Sequence, residues 1–316
     1  MATSDLTTLQ WLKSLVEPGM ILATAMSYYI DANVKAILCG QILAPLLNSQ
    51  QLRDEAFGKF WIAFSSNRVQ DSPPDSQDAA ASTSATPTAL KDTKVQSSTD
   101  LIPPILAQAS GVVLDVGPGT GTQMPLLKRP GIKAIYGAEP CAGLHGELRK
   151  RAADEGLGGK YTILPCSVVQ RELEGELEKV GLLDSTTTTI RARGGAVGVF
   201  DTIVTVRVLC SVPEFERTVE ELYALLKPGG KMLVVEHVVN PWRTAKGSIL
   251  ARVLQGVYHL FGWRWVMGDC CLNRDTEGVL KRVAAGDGGW ESADVERWFE
   301  STCMAYIAGV FVKKGV

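Results

Sequence analysis

Residues 112 to 121 read Val-Val-Leu-Asp-Val-Gly-Pro-Gly-Thr-Gly: an apolar run, an acid, then glycine at every second position. A short apolar run rich in β-branched residues is the pattern of a buried parallel strand. Gly117, Gly119 and Gly121 let the chain turn sharply at its end and bring bare backbone against a ligand. A strand and turn of this kind suit a nucleotide, and spacing narrows which one. The dinucleotide fingerprint needs G-x-G-x-x-G, whose third glycine position is here Thr122; the chain instead has G-x-G-x-G, with Asp115 two residues ahead of the first glycine. An acid closing the next strand, about 20 residues on, holds ribose hydroxyls in such folds. Ile135-Tyr-Gly-Ala-Glu139 ends in Glu139, 24 positions after Asp115. Pro118, Thr120, Gln123 and Pro140 fall in the same two turns.

Other reactive side chains are sparse. His237 follows an apolar run and is the best-placed general base in the sequence, and Asp269 and Arg274 are charged residues suited to orienting an acceptor. The seven cysteines are scattered, with no C-x-x-C pair and only three histidines, so neither a disulfide framework nor a metal site is expected. Cys270 and Cys271, a vicinal pair without histidine neighbours, read as packing. A net charge of -2 and no block of Lys or Arg argue against nucleic acid as a partner.

The elements that must position these residues follow from periodicity. From Leu101 onward strands and helices alternate, which specifies a doubly wound α/β sheet. Strands are expected at 112–116, 134–138, 161–164, 202–206, 231–236 and 305–313, with helices at 141–155 and 214–226. In open sheets of this kind the ligand sits beyond the carboxyl ends of the strands. That gathers Gly117 to Gly121, Glu139, the segment Cys166-Ser167-Val168, Arg207 and His237 around one crevice. The chain therefore divides into an N-terminal helical cap at 1–65, a linker or loop at 66–100 and a main domain at 101–316. The main domain carries a flexible insertion at 182–199 and a substrate cover at 240–280. No aromatic residue lies between Phe64 and Tyr136, and the tract from Ser66 to Asp100 has too little apolar area to offset its chain entropy. Residues 53 to 64 form an amphipathic helix that should cap something apolar. Met20 to Ile30 and Ala36 to Leu47 are apolar but short, separated by Asp31, Asn33 and Lys35, and are expected to be two helices of a lid.

The glycine turn with Asp115 and Glu139 resembles motif I of the class I methyltransferases that use S-adenosylmethionine. The run Val208-Leu-Cys-Ser-Val212, Leu226-Lys-Pro-Gly-Gly230, Glu236-His-Val238, Tyr258-His-Leu260 and Cys270-Cys-Leu-Asn-Arg-Asp275 together resemble the methyltransferase-like 7 family, whose animal members are thiol methyltransferases. Residues 52–61 look like segments of fungal relatives, some of them in secondary metabolism. The resemblance covers about Leu101 to the C-terminus. It implies a Rossmann-like doubly wound sheet, mostly parallel with an antiparallel last strand, behind an N-terminal helical extension.

It also implies S-adenosylmethionine as cofactor, with Asp115, Gly117, Pro118, Gly119, Thr120, Gly121, Gln123, Glu139, Pro140, Cys166, Ser167, Val168 and Arg207 as its contacts. His237, Asp269 and Arg274 are then the expected catalytic residues. Family members often place an acid after the third strand; here none precedes Glu172, which leaves the backbone of Ser167 and Val168 for that task. The expected partner is a small-molecule acceptor, apolar or aromatic and most simply a thiol. O- or N-methylation in secondary metabolism and a non-catalytic cofactor-binding protein stay open as alternatives. Animal members carry an apolar anchor for endoplasmic reticulum or lipid droplets. Asp31 and Lys35 interrupt the corresponding region, so the expectation is a cytoplasmic protein, with peripheral association through residues 20–47 to endoplasmic reticulum or lipid droplets open as an alternative.

Overall fold

The computed structural model describes residues 6–70, 95–184 and 198–315. Three helices come first: α1 (Thr8–Leu38), the short α2 (Ala44–Leu47) and α3 (Ser49–Gln70). A turn at 97–101 leads to α4 (Ile102–Leu106), and strand-helix alternation then begins. It runs β1 (Gly111–Val116), β2 (Ile132–Ala138), α5 (His145–Asp154), β3 (Tyr161–Leu164), α6 (Gln170–Lys179), β4 (Phe200–Val206), α7 (Phe215–Leu225) and β5 (Leu226–Val238). The chain ends with α8 (Ile249–Leu260), α9 (Trp263–Val266), α10 (Thr276–Arg282), β6 (Ser292–Trp298) and β7 (Ala305–Val312).

The seven strands form one sheet in the order β3-β2-β1-β4-β5-β7-β6. β1 to β5 pair in parallel, whereas β7 runs antiparallel to both β5 and β6. The sheet is buried on both faces, as its unbroken apolar strands require. Alternate residues divide between two cores: Leu114, Val116, Ile203 and Val234 pack into one, and Val113, Val204, Leu233 and Val235 into the other. Period-2 side-chain alternation explains the division. A third apolar cluster joins the N-terminal helices to the segment after β5, with Leu22, Ala25, Phe60, Trp263, Val266 and Leu272 at its centre.

The six expected strands are present within a few residues of their expected limits, and β6 was not foreseen. Its sequence, Ser-Ala-Asp-Val-Glu-Arg-Trp, is polar on an edge strand and gives no apolar run to read. The region from Met20 to Leu47 departs from expectation. Asp31 and Lys35 do not end a helix; they sit one turn apart on its exposed side, 2.7 Å apart, and α1 continues to Leu38. The linker expected at 66–100 falls mostly outside the described residues, and its ends are structured: α3 continues to Gln70, and Val95 is buried in the core. The insertion expected at 182–199 lies largely outside the described residues as well, with Leu183 and Val199 buried at its borders.

Candidate active site

The carboxyl ends of β1 and β4 adjoin at the point where strand order reverses, the usual ligand crevice of a doubly wound sheet. The turn after β1 holds Gly117, Gly119 and Gly121 at φ of +58°, +61° and +76°, a region that side-chain-bearing residues avoid. Glu139, at the end of β2, closes this turn: one carboxylate oxygen accepts from the Gly119 N–H at 2.9 Å and the other from the Cys141 N–H at 2.9 Å. Its own carbonyl oxygen lies 2.7 Å from Nε2 of His145. Asp115 accepts a hydrogen bond from the Tyr161 hydroxyl at 2.9 Å. Tyr161 lies on β3, two strands away, and reaches Asp115 because Gly137 on the strand between has no Cβ to block it.

Asp115 and Glu139 are both buried. Burial pushes the Asp115 carboxyl up to about 6 against the pull of the Tyr161 hydrogen bond, and the charge of Glu139 adds to the rise. Burial raises Glu139 as well, partly offset by its two backbone hydrogen bonds. No lysine or arginine among the described residues forms an ion pair with either acid. Two buried carboxylates flanking bare backbone make a place for a cationic ligand.

α3 roofs this place. A Cβ on Gly119 would lie 2.7 Å from Nε1 of Trp61, and the Thr120 hydroxyl is 3.0 Å from that of Ser65. Phe57 stacks on Trp61 with ring centroids 5.8 Å apart, and a Cβ on Gly268 would lie 2.9 Å from the Phe57 ring. Arg53 fastens the helix to the far wall with two bonds to Asp269, at 3.1 and 3.2 Å. The amphipathic helix expected at 53–64 thus covers the glycine turn, which sequence periodicity could not specify.

The other expected contacts divide. Arg207 sits in the left-handed region, at φ +57°, directly after β4. One of its terminal nitrogens donates to the hydroxyls of Ser98 and Thr99 at 2.8 and 3.0 Å, so it ties the segment before α4 to the crevice. Cys166 and Val168 are side chains of the core around Leu173. The Ser167 N–H is not left for a ligand: Glu172 folds back from α6 and accepts from it at 3.0 Å. Gln123 bonds its neighbour Thr122 at 3.2 Å. Pro118 and Pro140 occupy the two turns as expected.

Each of the three expected catalytic residues has partners within the protein. His237 is buried with Nε2 3.3 Å from Sγ of Cys270. Asp269 is the anchor of Arg53. Arg274 donates to the carbonyl oxygens of Leu209 and Val212 at 2.6 and 2.8 Å, with its guanidinium 4.8 Å from the Phe215 ring centroid. Both carry structure. Glu236 lies beside His237 at the same strand end. One oxygen of this fully buried acid accepts from the N–H groups of Val208 and Leu209, each at 3.1 Å, and the other has no hydrogen-bond partner among the described residues. Burial pushes its carboxyl up to about 7. Its position at the end of an apolar strand was the only available signal.

Similarity to known proteins agrees with this geometry. Residues 91–267, more than half of the chain, match the family described as methyltransferase domain. A stretch of 81 residues is 36% identical to the Homo sapiens thiol S-methyltransferase TMT1B, covering 26% of this chain and 31% of that protein. The chain thus spans about a third of the length of the curated relative it matches. Among solved structures, an O-methyltransferase family protein from Burkholderia thailandensis aligns over 98% of this chain and 74% of its own, at 16% identity and TM-score 0.48. TYW2 of M. jannaschii, in complex with AdoMet, aligns over 70% and 76% at 13% identity and TM-score 0.41. With its glycine turn, Glu139 and the 3-2-1-4-5-7-6 sheet all inside or framing the matched segment, the chain belongs to the methyltransferase domain family.

Proposed function

We propose that the protein transfers the methyl group of S-adenosylmethionine to a small-molecule thiol. The buried acid pair at the glycine turn carries this reading. S-adenosylmethionine brings a sulfonium and an ammonium, which two carboxylates without a lysine or arginine partner among the described residues would welcome. When bound, it supplies an electrophilic methyl group for in-line displacement. The chain's own work is alignment and exclusion of water. Glu139 would exchange its backbone partners for the ribose hydroxyls, Asp115 would face the ammonium, and the glycine turn would lie along the amino-acid end. α3 and the segment at 263–272 would close the site with an aromatic and aliphatic wall, which suits an apolar acceptor.

A thiol is the acceptor that asks least of such a site. Its pKa near 8.5 already provides thiolate at neutral pH, whereas an alcohol or phenol would want a base, and His237 is turned to the cysteines. The local likeness to a thiol S-methyltransferase supports the same choice. Transfer of labelled methyl groups to a panel of aliphatic thiols, phenols and amines, with product masses read out, tests it. Label is expected on the thiols. Label confined to phenols or amines would discard the thiol and keep the methyltransferase; none on any acceptor would leave a cofactor-binding protein.

We also propose that the protein rests on a membrane surface through residues 20–47. Met20, Leu38, Leu46 and Leu47 are all well exposed, and Ile249, Leu250 and Val253 of α8 are exposed too. No helix among the described residues is long and apolar enough to cross a membrane. A large exposed apolar area is characteristic of an interfacial contact. Co-sedimentation with phospholipid vesicles is expected for the native chain and should be lost on Leu46→Glu with Leu47→Glu. Equal recovery of both proteins in the supernatant would reject membrane association.

A further inference from the structure

Cys210, His237 and Cys270 come from three separate segments: the loop after β4, the end of β5 and the turn after α9. The fold brings one donor atom from each to within 4.8 Å of the others, and all three residues are buried. Nε2 of His237 and Sγ of Cys270 are 3.3 Å apart. Zinc with two Zn–S bonds of about 2.3 Å and one Zn–N bond of about 2.0 Å in tetrahedral geometry sets its ligand atoms roughly 3.5 to 3.8 Å apart. The observed cluster reaches that geometry with shifts of about 1 Å or less. We propose that these three residues form a zinc site.

The backbone that carries the donors is fixed independently of any ion. Cys271 N–H donates to the Cys210 carbonyl at 2.9 Å, which locks two donor segments together. Arg274 holds the carbonyls of Leu209 and Val212, on either side of Cys210, while Glu236 holds the N–H groups of Val208 and Leu209. Gly268 and Asp269 turn through left-handed φ values of +58° and +63° just before Cys270 and so aim its side chain inward. Tyr306 lies edge-on to the His237 ring, 6.2 Å between centroids, and restricts its plane. Donors held in this way form a site whose ordering is already complete before metal arrives.

The choice of ion follows from donor chemistry and charge. Two thiolates and an imidazole are soft ligands that suit zinc or copper and exclude magnesium and calcium, which take oxygen. A buried cluster is tolerated when its net charge is zero. Two thiolates with a divalent ion are neutral, whereas monovalent copper would leave a buried negative charge. Binding releases the two thiol protons to solvent, and no electron is transferred. Three protein ligands leave the fourth tetrahedral position to water or an added thiol. The site stands whether or not the chain transfers methyl groups.

The test uses the full chain, reduced and stripped of metal with a chelator, then titrated with cobalt(II) and read by its thiolate-to-cobalt charge-transfer absorption and tetrahedral visible bands. One equivalent of cobalt is expected to produce both, and zinc to displace it at one equivalent, with the same stoichiometry by elemental analysis. Cys210→Ser and Cys270→Ser should each weaken zinc binding at least about tenfold and reduce the charge-transfer intensity, while Cys271→Ser, the neighbour outside the cluster, should bind as the native chain does. Circular dichroism identifies any variant that fails to fold, and the native chain's cobalt spectrum decides the matter without variants. Absence of charge-transfer absorption in the reduced native chain would overturn the proposal. So would an unchanged spectrum in folded Cys210→Ser and Cys270→Ser, or a Cys210–Cys270 disulfide forming on mild oxidation in a chain that takes up no metal when reduced.

Discussion

Glu139 satisfies two backbone N–H groups at once, so its removal affects both the turn and the ligand. Glu139→Ala is expected to weaken S-adenosylmethionine binding by about 1.5 to 3 kcal/mol, the range for hydrogen bonds to a charged group, or on the order of 10- to 150-fold; calorimetry reads it. Asp115 gives a pH signature. With its carboxyl raised from 3.8 to about 6, a cationic ligand must expel a proton below pH 6, so affinity should fall about tenfold per pH unit there. Asp115→Asn should bind weakly and without that slope. The same shift bears on the empty fold. Its protonated form stabilises the protein fully below pH 3.8, and that contribution is lost as pH rises through about 6. Denaturant titrations of Asp115→Asn and the native chain should therefore diverge across this interval, with the variant relatively more stable above it. An equal pH slope of stability in the two would show that folding leaves the Asp115 carboxyl unshifted. The two acids and the glycines were readable in the sequence because a tight turn and a strand end restrict residue type. The tie between Asp115 and Tyr161 was not, since it depends on a glycine in the strand between.

Among the elements, α3 offers the sharpest test. Gly119→Ala would add a Cβ against Trp61 at a φ of +61°. It should destabilise by about 1 to 2 kcal/mol from backbone strain and by a further 1 to 3 kcal/mol from crowding. Combining it with Trp61→Ala should relieve the crowding and leave the strain, so a thermal-melt double-mutant cycle should show coupling of at least about 0.5 kcal/mol. Strict additivity would mean that α3 does not rest on the turn in solution. Arg53→Ala, which leaves Asp269 with Arg264 alone, is expected to raise exchange of α3 amide hydrogens while leaving those of the central sheet unchanged. Periodicity revealed this helix and its apolar stripe, because those are local. Its resting place depends on Gly119 and Gly268, which lie far along the chain on opposite walls of the crevice, and no local pattern records that meeting. The partners of the charged residues of the cover were hidden for the same reason: Asp269 meets Arg53, and Arg274 meets two carbonyls, that only the fold brings near.

At the scale of the whole molecule, fold class and the position of six strands were largely legible, since apolar runs and β-α alternation leave few arrangements for a chain of this kind. The edge strand β6 and the course of α1 were not. A polar edge has no apolar run, and one exposed ion pair on a helix looks in sequence like a break. The three-segment cysteine and histidine cluster was unreadable too, because spacing rules presuppose ligands that are near in sequence. α1 is held by the far end of the chain: Trp11 donates to the carbonyl of Ser301 at 3.0 Å, Tyr258 to that of Leu15 at 2.7 Å, and Cys303 packs beside Leu15. This clasp has a consequence for biosynthesis. Translation at roughly 5 to 20 residues per second leaves the first helix on the ribosome for on the order of ten seconds to a minute before its docking partners exist. For that interval α3 already packs on α1, but the face at Trp11 and Leu15 lacks the residues that cover it, so nascent chains halted before residue 300 should be captured by chaperones and full-length chains released from them.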